Sequence, residues 1–110
     1  MMKENQKSTF KKTEELLRNY NRFNFAVTKN ENTDITKNLI SVLNEALKTI
    51  ENDKYYDVIP MIFFENKTRE DIAEHFDCEV KTVTRNKNRL VNQLRIIVFS
   101  DEVIKELFLN

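Results

Sequence analysis

The chain contains no glycine at all, and proline occurs once, at Pro60. Tight β-hairpins, Gly-rich phosphate loops and dinucleotide-binding turns rely on positive φ, which glycine reaches at least cost. A sequence without it is therefore a poor candidate for a β-sandwich, a P-loop or a Rossmann turn. Helices joined by short polar connections need little glycine. Hydrophobic content of 40% over 110 residues is enough to bury a core. The expected fold class is all-α.

Helical periodicity divides the chain. Leu16, Leu17, Tyr20, Phe23 and Val27 form one apolar stripe, which predicts a helix over 13–27, with the preceding residues frayed. Residues 28–34 (TKNENTD) read as a loop in which Thr33 or Asp34 caps the next helix. The strongest amphipathic pattern follows over 35–50: Ile35, Leu39, Val42, Leu43, Ala46, Leu47 and Ile50. Pro60 removes a backbone donor from the segment 54–64, which predicts a kinked helix or a turn at 55–57 leading into a helix. Thr68 can cap the amide of Asp71, opening a helix that stops at Asp77. A long helix runs from about Val80 to Phe99, and Ser100 opens a short terminal one over 101–109, with Val103, Ile104, Leu107 and Phe108 on one face. The expected organisation is a helical support over 1–50 and a second region over 51–110, in two units or one compact domain.

Residues 68–94 have the parts of a helix-turn-helix: a short helix, a turn of three or four residues, and a second helix long enough for a DNA major groove. Ala73 is the small residue that allows close helix packing, and Asp77 stands where a left-handed backbone is required. Val80 and Val83 are expected to pin the second helix to the core.

Formal net charge is zero, from 18 basic and 18 acidic residues, but the signs are segregated. Acids dominate over 51–77, whereas Lys81, Arg85, Lys87, Arg89 and Arg95 follow one another over 81–95 without an acid between them. Local field decides where a polyanion docks. Arg pairs bidentately with guanine, Asn with adenine, and Thr touches phosphates or thymine methyls. Base reading is accordingly expected from Lys81, Thr84, Arg85 and Asn88, with Thr82, Lys87, Arg89 and Arg95 on phosphates.

The pieces IFFEN, KTREDIAEHF and VKTVTRNKNRL resemble the fourth region of bacterial sigma-70-family factors over 56–94. The segments EELLRNYNRF, YYDVIPMIFFE and TREDIAEHF with TVTRNKNRLVNQL resemble the ArpU-like phage regulators over 13–107. That resemblance implies a transcriptional activator of late packaging, structural and lysis genes, working on double-stranded promoter DNA. Two residues depart from the sigma-type pattern. Asp77 replaces the usual turn glycine, and Lys87 occupies an aliphatic position. Its stem is expected along the core with its ammonium on a phosphate.

Cys78 is the only cysteine and His75 the only histidine, too few for a structural zinc site of about four ligands. No catalytic constellation is discernible, so neither an enzyme nor a cofactor is expected. The N-terminus lacks a signal-peptide core, and no apolar run approaches the ~20 residues of a membrane span, so a cytoplasmic protein is expected. Host RNA polymerase and a second copy of the chain are further candidate partners. The rival reading is a helix-turn-helix interaction protein that binds polymerase or a packaging assembly with little DNA readout.

Overall fold

A computed structural model describes residues 4–29 and 34–100. These residues are all-α, without a strand among them. The elements are α1 (Glu4–Arg18), α2 (Tyr20–Thr28), α3 (Asp34–Ile50), α4 (Val58–Phe63), α5 (Arg69–Phe76) and α6 (Val80–Val98). Thr33 and the terminal helix expected over 101–109 lie outside the described residues.

Helix α6 is the hub, packing against α1, α3, α4 and α5. Its Leu90, Val91, Leu94 and Val98 join Leu17 of α1, Leu43, Ala46, Leu47 and Ile50 of α3, and Ile59 and Phe63 of α4 in one core cluster. This cluster draws on both sides of the boundary expected at residue 50. Burying each such aliphatic side chain contributes roughly 1.5–3 kcal/mol, so the N-terminal helices and α6 hold one another in place. A second cluster, Val58, Met61, Ile72, Ala73 and Val83, ties α4 and α5 to the first turns of α6.

The N-terminal segment differs from expectation. Helix α1 begins at Glu4, so residues that looked frayed form two of its turns. Phe10, Thr13, Glu14 and Leu17 share the face turned toward the core, but two of the four are polar, which hides the stripe. Thr13 is fully buried, and its hydroxyl donates to the Thr9 carbonyl at 2.8 Å. Near Asn19, at φ −96° and ψ 4°, the single helix expected over 13–27 breaks into α1 and α2. The Asn19 amide donates to the Glu15 carbonyl at 2.8 Å. Such local side-chain bonding competes with the helical ladder.

Pro60 is the third residue of α4, where its missing N–H would have had no helical partner. The chain enters α4 through a turn in which Asp53 Oδ1 accepts from the Tyr55 amide at 2.9 Å. It leaves through Asn66, at φ 54°, as the Lys67 amide reaches back to the Met61 carbonyl at 2.9 Å.

Two left-handed residues are thus required among those described, Asn66 and Asp77. Asn and Asp are the types that tolerate this backbone in the absence of glycine.

Candidate nucleic-acid interface

Thr68 adopts an extended backbone, and its Oγ1 accepts from the Asp71 amide at 3.1 Å. This cap satisfies one of the donors that every helix start leaves open, and Glu70 and Asp71 suit its positive dipole end. Helix α5 ends at Asp77, at φ 51° and ψ 53°. The Cys78 amide then donates to the Ala73 carbonyl at 2.9 Å, so three residues reverse the chain into α6. Ala73 and Val83 meet in the smaller core, the close packing expected of the small residue.

Val80 does not share that role. It is 38% exposed, whereas Val83 is fully buried. Val80 opens the helix ahead of the contact, and one turn's rotation brings Val83 inward.

The cations of α6 fall into distinct environments. Lys81 and Arg85 are exposed. Lys81 Nζ approaches Glu79 at 3.4 Å with both side chains mostly in water, and such a pair contributes little. Arg85 Nη2 donates to Thr82 Oγ1 at 3.3 Å. Asn88 is exposed one turn further on, and half-buried Asn92 continues the same line. Arg95 donates from Nε to Asn92 Oδ1 at 2.8 Å, an uncharged partner. Thr84 is half-buried and accepts from Arg69 Nη1 at 3.3 Å.

Lys87 departs from its expected place. Its stem does lie in the core, but its ammonium turns inward to Glu14 Oε2 of α1 at 2.8 Å. The two side chains are only 9% and 14% exposed. The ammonium also sits 5.5 Å from the centre of the Phe10 ring. Lys87 therefore forms an ion pair within the packing and does not point outward to a phosphate, because the Glu14 carboxylate meets its ammonium there at 2.8 Å.

Arg89 is also committed internally. Its Nη1 and Nη2 donate to the two carboxylate oxygens of Asp53, each at 2.8 Å. Its Nε and Nη2 donate to Asn86 Oδ1 at 3.2 and 3.1 Å, and Asn86 in turn donates to the Thr82 carbonyl. Unlike the Lys87 pair, this one reaches solvent, at 39% and 23% exposure. A partly exposed pair of this kind contributes about 0.2–1 kcal/mol. The hydrogen bonds from Arg89 hold the Asp53 carboxyl below its ordinary value of 3.8; burial opposes them, and the Tyr55 amide adds to the lowering. The same pairing raises the pKa of Arg89.

A carboxyl depressed by folding contributes its full stability above the unfolded pKa, about 3.9, and loses it as pH falls through the folded value. The stability difference between the wild type and Asp53→Asn is therefore expected to be constant near neutrality and to close below about pH 4. Urea melts across that range measure it. A difference that ignored pH would mean that Asp53 does not carry the charge paired with Arg89.

Sequence reading missed Asn92 and Arg69. Asn92 was open to discovery, lying four residues beyond Asn88 on the outer line. Arg69 was not, because only the α5–α6 packing brings it to Thr84. The carboxylates of Glu14 and Asp53 were equally invisible as partners of α6.

Among the described residues no helix is long and apolar enough to cross a membrane. No protein-family model, curated protein or solved structure matches the chain.

Proposed function

We propose that the chain is a sequence-specific regulator of transcription that binds double-stranded DNA, with α5 and α6 as its helix-turn-helix. The observation that carries this reading is the outer face of α6. Lys81, Arg85, Asn88 and Asn92 project there, and α6 contains no acidic residue. These are the side chains that discriminate guanine and adenine edges in a major groove. Arg85 and Asn88 read bases, with Lys81 and Thr84 at the edge of the readout. Arg95 and Thr82 contact the backbone, and Arg69, beside Thr84, adds a donor from the first helix of the unit.

The resemblance to ArpU-like regulators extends this reading to activation of late packaging and lysis genes in a phage or prophage, acting with host RNA polymerase. Internal pairing of Lys87 and Arg89 sharpens the expectation. With Lys81, Arg95 and Arg69 as the cations left for phosphates, log K for a promoter fragment should fall with log salt at a slope of roughly −2 to −4 per bound chain. Fluorescence anisotropy on a late-promoter duplex at several salt concentrations gives the slope. Absence of binding, or a flat slope, would instead favour a protein-docking role on polymerase or a packaging assembly.

A further inference from the structure

The cations of α6 are buried, exposed or, in the case of Arg89, held at the surface by a carboxylate. We propose that Asp53 is an internal phosphate mimic: it occupies the bidentate edge of Arg89 and withholds a phosphate ligand from the DNA-binding face. This inference rests on the DNA-binding reading of α6 and deepens it.

A guanidinium offers a carboxylate and a phosphate the same two parallel N–H donors. Asp53 takes that edge with two bonds of 2.8 Å. Asn86 meanwhile holds the Nε side, so the guanidinium remains poised on α6 when its outer partner changes. Arg89 stands four residues beyond exposed Arg85, about 6 Å further along the helix axis, within reach of the same DNA backbone. Solvent access distinguishes this pair from Lys87–Glu14. At 39% exposure Arg89 can exchange partners without moving a buried charge, whereas Lys87, at 9%, cannot.

Asp53 thus lowers affinity in two ways. It neutralises one cation, and it places a negative charge beside the approaching phosphates.

The test uses the whole chain and a random-sequence 20-base-pair duplex, because phosphate contacts do not depend on sequence. Asp53→Asn should bind roughly three- to tenfold more tightly at low salt, with the advantage shrinking as salt rises. Its salt slope should be steeper by about 0.9, the value of one added phosphate contact. Combining Asp53→Asn with Arg89→Gln should return the slope to the wild-type value. An unchanged slope in Asp53→Asn overturns the mimic. So does a steepening that persists without Arg89, since removal of any nearby negative charge would then explain it.

Arg89→Gln provides a check that leaves Asp53 in place. If Asp53 withholds Arg89 from phosphates in the wild type, removing the guanidinium should leave the salt slope at the wild-type value; a slope shallower by about 0.9 overturns the inference. If the wild type does not bind but Asp53→Asn does, the mimic stands and the unmodified chain is not a constitutive DNA binder. If neither binds, the DNA reading and the mimic fall together.

Discussion

Replacement of Glu14 by Ala is expected to destabilise the protein by about 3–5 kcal/mol, because it strands the Lys87 ammonium inside the fold. A domain of this size has about 5–15 kcal/mol in total, so one truncation far from the outer face of α6 removes a large share. The reason lies in the geometry of the pair. Lys87 Nζ meets Glu14 Oε2 at 2.8 Å with both side chains nearly out of water. A buried pair gives little net stability over apolar residues, but half of one is costly. The matched replacement Glu14→Leu with Lys87→Met should therefore recover most of the loss. Urea unfolding of the two single variants and the double variant measures the coupling, and a loss below about 1 kcal/mol for Glu14→Ala would place the pair in solvent instead. The double variant also separates stability from recognition. If Lys87 has no phosphate contact, the folded double variant retains the salt slope of the wild type.

The second large effect is expected from Arg85→Ala. Its guanidinium is exposed on α6 and, among the described residues, is held by a 3.3 Å contact to Thr82. An Arg in that setting can turn to the O6 and N7 atoms of guanine, and its loss should cost about 1–3 kcal/mol at one base position. In affinity terms this is about five- to 150-fold on the preferred operator. Selection from a randomised duplex pool should show relaxed preference at that one position and retained preference elsewhere. A uniform loss across all sequences would make Arg85 a phosphate ligand. No change at all would mean that the outer face of α6 is not the reading face. The fold should tolerate this substitution, since Arg85 belongs to neither core cluster.

Helices α3 and α6 were legible in the sequence because their apolar residues recur with the helical period and face one large core. Thr68 and Asp77 marked both ends of α5, since capping is local chemistry that acts within a few residues. Helix α1 was underestimated for the opposite reason. Its inner face carries Thr13 and Glu14, whose burial depends on a carbonyl within the helix and on a lysine far along the chain. Val80 looked like an anchor because apolar type predicts burial on average, while the direction of the first residue of a helix is set by the turn before it.

The glycine-free composition, the helical periods and the turn residue Asp77 determined the all-α fold and the α5–turn–α6 unit, through interactions spanning a few residues. Only the tertiary structure decided which α6 cations face outward. Lys87 meets a carboxylate 73 residues away, and Arg89 meets one 36 residues away. Along the chain, the five basic residues of α6 are equivalent charges on one helix. Packing α1 and the α3–α4 turn against that helix brings Glu14 and Asp53 within 3 Å of two of them. Coulomb attraction acts through space, so its partners become visible only when the fold has set the distances.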